Sequence, residues 1–244
     1  MWYSPLEQFK IVVVQPLSFL GLDLSITNST VYLLLATLFV YVIFKRGTQL
    51  GRLIPDGMQR LAELMYIFIN NLVKQQAGIR GLEYFPLLLT LFYMILFLNL
   101  IGLTPFGFTC TSQICYTFTL GFSFFIGIVI IGVMVHKAKF LSLFVPDITG
   151  PILPVIVAIE VFSYLIRPVS LSVRLFANML AGHSLLHILS SFGMSMLKVD
   201  VLVALLMAGP IIAICVLELG IAFIQAYVFI VLVCIYMKES YYGH

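Results

Sequence analysis

Apolar residues run along this chain in blocks far longer than a soluble core requires, and the polar residues between them gather into a few short clusters. Residues 84–103 and 116–135 are two uninterrupted apolar stretches, each long enough to cross the ~30 Å hydrocarbon core of a bilayer as a helix. The polar stretch 104–115 separates them, with Pro105 and Gly107 supplying the break. Residues 30–44 make a shorter apolar run closed by Lys45-Arg46-Gly47. At ~1.5 Å per residue that run reaches only about 22 Å, so Asn28 and Ser29 must be drawn into its end, or the bilayer must thin there. The longest blocks come last. After a break at 147–151 and Pro154, residues 154–197 and 199–237 are apolar throughout, and only Gly193-Met194-Ser195 and Lys198-Val199-Asp200 resemble a turn. As single helices each would be ~60 Å long, about twice the hydrocarbon core. Either they lie steeply tilted or they break, with Pro168 and Pro210 as the weak points. The expectation is two tilted, bent helices forming an antiparallel hairpin.

Residues 55–77 follow a different rule. Leu61, Leu64, Met65, Phe68 and Leu72 recur at helical spacing, while Gln59, Arg60, Glu63, Asn70, Asn71 and Lys74 fill the other side. The pattern predicts an amphipathic helix lying in the plane of the membrane, started by Asp56 with Gln59 three residues later as a capping box. A soluble amphipathic helix packed on another subunit has the same pattern.

Composition fixes the class. Hydrophobic residues make up 62% of the 244 and charged residues 9%, against roughly 25% charged in soluble domains. The predicted fold is an all-α polytopic integral membrane protein: a single membrane domain over 1–244 with about five membrane-embedded helices plus one interfacial helix. A net charge of +3 is too even for a nucleic-acid partner. The first 25 residues have no basic start or small-residue cleavage site, so no signal or transit peptide is read there. Cys215 and Cys234 lie in apolar helix as small hydrophobes, and Cys110 and Cys115 share a polar loop as free thiols or a disulfide. Nine basic residues fall on one face of a five-span arrangement: Lys45, Arg46, Arg52, Arg60, Lys74, Arg80, Lys137, Lys139 and Lys238. The other face has Lys10 and Lys198. By the positive-inside rule the N-terminus faces out and the C-terminus faces the inner compartment.

The candidate chemistry is concentrated in the last two blocks. The first carries Glu160, Arg167, Arg174, Asn178, His183 and His187, and the second carries Glu218 and Gln225. An ionisable side chain at mid-bilayer costs at least ~2.5 to 3.5 kcal/mol on insertion scales, so an arginine kept there has a use. Glu160, Arg167 and Arg174 are spaced by seven and fall within ~40° of one another on a helix, and Asn178 extends the stripe. If Gln225 sits beside Arg174 across the hairpin, His183 and Glu218 rise ~13.5 and ~10.5 Å from that rung and share a depth. Glu160 lies ~21 Å the other way. A titratable group then stands on each side of a fixed positive charge, as an offset, two-ended proton path needs. Nine residues turn by ~180°, so His183 faces away from Arg174 unless the helix bends near Gly182, and the outer path is expected on a different wall.

Blander readings compete. Arg174 could snorkel, although it lies too deep in its run. Arg167 could be a structural ion-pair partner of Glu160. His183 and His187, spaced i, i+4, could hold a metal or haem, but a haem would want a histidine helix opposite, and only His136 and His244 remain. Glu218 could be a satisfied buried acid. A self-contained proton-coupled transporter could use the same charges, but would want internal repeats, and the two halves do not resemble one another. No GxxxxGK[ST] loop occurs, so the chain has no nucleotide site of that kind, and no cofactor or metal is expected.

At RLFANMLAGH and LELGIAFIQAYVF the chain resembles subunit a of the F-type ATP synthase, the membrane stator bordering a rotating ring of c subunits. SPLEQF near the start, NLIGLTPFGFT at 99–109 and IEVFSYLIRPVSLSVRLFANMLAGHSLL at 159–186 extend the resemblance over nearly the whole length. The resemblance implies that Arg174 is the stator arginine, that His183 and Glu218 belong to the half-channel open to the intermembrane space, and that Glu160 belongs to the matrix-side one. Asn178 and Gln225 are then polar neighbours. Histidine at 183 with glutamate at 218 is similar to the mitochondrial pattern, implying the inner mitochondrial membrane. The implied partners are the c ring, other Fo and peripheral-stalk subunits, and lipid.

Overall fold

The computed structural model describes the chain apart from residues 1–6, 17, 20–21, 24, 50, 52, 105–106, 138–152, 197–200 and 243–244. The expected break at 147–151, the turn at 198–200, and Pro105 lie outside the described residues. Near the N-terminus, β1 (Val13–Gln15) pairs antiparallel with β4 (Ile26–Thr27), and β2 (Ser18–Phe19) pairs with β3 (Leu22–Asp23). Everything longer is helical, as the apolar blocks predicted. Among the described residues five helices are long and apolar enough to cross a membrane, and they belong to an all-α polytopic membrane protein.

The first of them, α1 (Asn28–Gln49), has 22 residues and so spans ~33 Å, which a run of 30–44 alone could not. Asn28 and Ser29 are inside it, as required. The expected stop at Lys45-Arg46-Gly47 is overridden: Gly47 is buried against Ala62 of the next helix, and that seam keeps the last turn helical.

That next helix, α2 (Gly57–Gln76), is not among the five spanning helices. Its start differs from the expected capping box. Asp56 holds the N-cap position in extended conformation, but its carboxylate makes no cap bond. Gln59, buried in the seam with α1, donates from Nε2 to Glu63 Oε1 at 2.8 Å. The helix buries Ala62, Ile69, Leu72 and Val73 against the bundle and leaves Leu61 and Leu64 exposed. Apolar residues therefore occupy two sides of it, one for the protein and one for lipid or a partner.

A tight turn at Gly78 (φ 75°) and a 3-10 turn over Arg80–Tyr84 lead into α3 (Phe85–Gly102), with Pro86 in the first turn, where a missing N–H costs nothing. This helix is apolar all round and sits in the middle. In its spanning stretch 61% of residues are buried, against 11–33% in the others, because α1, α2 and the last helix all pack on it. Phe92 and Tyr93 join it to Phe68 of α2 and Phe44 of α1, and the Tyr93 hydroxyl donates to the Met65 carbonyl at 3.0 Å.

Next comes α4 (Ile114–His136), whose Gly121 lies so close to Ser172 that any side chain there would collide with the hydroxyl. Small residues at such crossings let helices approach without a hydrophobic drive between them. The final pair, α5 (Leu153–Met196) and α6 (Val201–Tyr242), have 44 and 42 residues, ~66 and ~63 Å. Both run unbroken: Pro168 and Pro210 lie inside them, as does Gly193-Met194-Ser195. Prolines are tolerated in spanning helices because neighbouring groups satisfy the freed backbone. At more than twice the hydrocarbon thickness, neither helix can stand upright within it.

Candidate functional site

The register of the α5–α6 pair follows from three contacts. Arg167 meets Glu239, Gly182 packs on Glu218, and Gly193 faces Ile211, so the helices run antiparallel. Gln225 lies on α6 seven residues past Glu218, and Arg174 lies on α5 eight residues before Gly182, so both fall on the Arg167–Glu239 side of that contact.

His183 and Glu218 do share a depth. With Asn178, Met179, Leu103 and Ile221 they line a cavity of about 10 Å³, near the size one water needs. Glu218 is only 5% exposed. Both of its carboxylate oxygens and Nε2 of His183 are buried without a hydrogen-bond partner among the described residues. Glycine at 182 is what allows this. A Cβ there would lie 2.7 Å from Glu218 Oε1. Three unpaired polar atoms around so small a space are costly in a static core, where buried polar groups are paired.

Arg174 is in a different setting. Its neighbours Ser172 and Leu175 are buried against the bundle, but Arg174 itself is exposed. Ser170, Val173, Ala177 and Ala181 of α5 are exposed too, as are Leu217 and Ile224 of α6. A permanent cation thus stands on a largely apolar outer surface of α5, about half a helical turn round from His183. Asn178, which lines the cavity, and Gln225 are half-buried.

At the other end of the hairpin, Arg167 forms its ion pair with Glu239 of α6. Its guanidinium carbon also lies 4.9 Å from the Tyr236 ring centroid and 5.4 Å from that of Tyr164. Arg167 is thereby a clamp between α5 and α6, with Glu239 the carboxylate it meets. Glu160 is half-buried on α5, seven residues before Arg167.

Several residues here escaped the sequence reading. Glu239 read as part of a polar tail because the apolar block ends at Met237, whereas α6 continues to Tyr242. Asn99 is fully buried on α3, donates weakly to the Ala222 carbonyl at 3.4 Å, and leaves Oδ1 unpaired one turn from Glu218 on α6. Its signal was available: an amide in the middle of an apolar span. Phe9 stands edge-on to the His183 ring at 6.4 Å, a contact across 174 positions that no local pattern encodes.

Residues 27–238 match the family of the ATP synthase A chain. The chain is 48% identical over 243 residues to ATP synthase subunit a of Acanthamoeba castellanii, covering 99% of this chain and 98% of that one. It is 41% identical to ATP synthase subunit a of Chondrus crispus, over 97% of this chain and 95% of that one. To ATP synthase subunit a of Pelagibacter ubique it is 40% identical, over 97% of both chains.

Proposed function

Because the chain belongs to the ATP synthase subunit a family, the proton-translocating subunits of the Fo sector, we propose that it carries protons along two offset half-channels separated by Arg174, to and from the carboxylates of a c-subunit ring. The observation that carries this reading is the guanidinium on the exposed apolar face of the hairpin. A charge that cannot deprotonate is too costly to leave against lipid, so an acidic partner must pass over it. A ring of carboxylate-bearing hairpins is such a partner.

The path starts in the His183–Glu218 cavity, whose unpaired oxygens and imidazole nitrogen can take up a proton and hand it on. A ring carboxylate protonated there becomes neutral and can enter lipid. After nearly a full turn the acid reaches the opposite half-channel at the Glu160 end, where Arg174 favours its ionised form and the proton leaves. Arg174 also blocks direct passage between the half-channels, since it repels a cation and cannot relay one. Asn178 and Gln225 supply neutral hydrogen-bonding groups between the cavity and the arginine. Each charge crossing the membrane delivers ~2.3 kcal/mol per 100 mV, so several per turn supply tens of kcal/mol to the rotor.

The histidine–glutamate pair supports the inner mitochondrial membrane as the location. The nine basic residues on one face support an N-terminus toward the intermembrane space and a C-terminus in the matrix. The decisive experiment is Arg174→Ala in the assembled complex. ATP-driven proton pumping is expected to vanish while passive leak through the membrane sector persists, and Arg174→Lys is expected to lose most of the activity because lysine can shed its proton when desolvated. Coupled pumping at the wild-type rate in Arg174→Ala would sink the reading.

A further inference from the structure

The His183 ring has a neighbour that comes from outside the helix hairpin. The backbone from Phe9 to Gln15 is held at three places. The Gln113 side chain, at the N-cap of α4, donates from Nε2 to the Phe9 carbonyl at 2.7 Å. Asn28, the first residue of α1, donates from Nδ2 to the Lys10 carbonyl at 3.2 Å and accepts from the Val12 amide on Oδ1 at 3.3 Å. Its own amide donates to the Val12 carbonyl at 3.1 Å, and β1 then pairs with β4. Most of these bonds join side-chain amides to backbone, so they fix the position of the strand and not merely its sequence neighbours. The result is a strap tied to the starts of α1 and α4 that delivers one aromatic ring to α5.

That ring is Phe9, which meets the His183 imidazole edge to face, with planes at 85°. Edge-to-face packing sets the positive rim of one ring against the electron-rich face of the other, so the contact is attractive as well as shielding. The cavity on which that imidazole opens is lined by Leu103 at the end of α3, Asn178, Met179, Gly182 and His183 of α5, and Glu218 and Ile221 of α6. Glu218 is the only other titratable group among these lining residues.

We propose that the segment Glu7–Gln15 is the wall closing the His183–Glu218 cavity at the end of the bundle where the chain begins, with Phe9 as the positioning residue that shields the imidazole and Gln113 as the anchor that holds Phe9 in place. The consequence for proton flux rests on the role given to His183 above; the shielding itself does not.

The test uses the assembled complex carrying Phe9→Ala, Phe9→Tyr or Gln113→Ala, reconstituted in vesicles and exposed to diethylpyrocarbonate. Modification of His183 is read by fragment mass spectrometry relative to His187, one turn further along α5. In Phe9→Ala the His183/His187 ratio is expected to rise several-fold, in Gln113→Ala to rise less, and in Phe9→Tyr to stay at the wild-type value. An unchanged ratio in both Phe9→Ala and Gln113→Ala overturns the proposal, as does an equal rise in Phe9→Tyr. Passive proton conduction in the same vesicles keeps the two readings apart. A raised ratio with conduction unchanged upholds the strap and removes His183 from the proton path. A flat ratio with conduction still lost in Glu218→Gln discards the strap and leaves the path intact.

Discussion

Replacing Gly182 by alanine probes the cavity through its most constrained wall. A Cβ at that position would lie 2.7 Å from Glu218 Oε1, 3.1 Å from Cδ and 3.2 Å from Cγ. Ordinary carbon contacts are ~3.5 to 4.0 Å, so the carboxyl group must retreat by roughly 1 Å. Because Glu218 can rotate, the stability cost falls at the lower end of the ~1 to 3 kcal/mol seen for overpacked cores. The functional cost is larger. A displacement of ~1 Å in a group that must meet its partner in register can cost about 100-fold, and the carboxylate would leave the space it shares with His183. Proton pumping by the Gly182→Ala complex is therefore expected to fall about 10- to 100-fold while the complex still assembles. The assay is ATP-driven acidification of sealed vesicles, with ATP hydrolysis by the detached catalytic head as the control for protein amount. Gly127→Ala is the matched substitution, since nothing lies within 4 Å of a Cβ there, and it should pump normally. If Gly182→Ala pumps like wild type, the cavity is not on the proton path and the argument from its unpaired oxygens fails.

The Arg167–Glu239 clamp predicts non-additivity. Arg167→Ala and Glu239→Gln should each lower the thermal stability of the complex, and the double variant should be less damaged than their sum, with a coupling of about 0.5 to 3 kcal/mol by a double-mutant cycle. Strict additivity would mean that the ion pair contributes nothing. Cys110 and Cys115 should differ in reactivity. Burial pushes the Cys110 thiol up to about 11, so at pH 7.5 almost none of it is the nucleophilic thiolate, and its reactivity grows only as the pH approaches that value. Maleimide at pH 7.5 should therefore label exposed Cys115 and spare Cys110, as read by peptide mapping, and equal labelling would contradict the packing of Cys110 against the Ser29 carbonyl.

Much of this was legible because lipid enforces a simple code. Apolar length alone marked α3, α4 and the long hairpin, since in hydrocarbon every backbone group must be bonded within its own segment. Pro168 and Pro210 marked where the two long runs could break, and the expected continuous helices are what forms, with both prolines inside them. The depth shared by His183 and Glu218 followed from helical rise, a local property. The antiparallel pairing itself rests on the Gly182–Glu218 and Arg167–Glu239 contacts, between residues far apart in sequence. Asp56 and Gln59 had the right spacing for a capping box, but Gln59 is drawn into the seam with α1 and bonds Glu63. Tertiary packing won over a local motif there, as it did at Lys45-Arg46-Gly47.

The two ends of the hairpin are built on opposite principles, and this bears on how a single pair of helices could serve the two half-channels proposed above. At the Arg167 end a carboxylate and a guanidinium meet, flanked by two aromatic rings, so charge is balanced and the helices are fastened. At the Glu218 end two carboxylate oxygens and an imidazole nitrogen are buried around a space of about 10 Å³ with no partner among the described residues, so hydrogen-bonding capacity is left over. A paired end holds register, and an unpaired end can exchange a proton. Arg174 lies between them on the exposed face, where neither end can neutralise it. On the proposed path, moving either feature would defeat the arrangement: a salt bridge at Glu218 would occupy the oxygens that path calls for, and loss of the carboxylate beside Arg167 would let the helices slide and carry Arg174 out of line with the ring it is proposed to face.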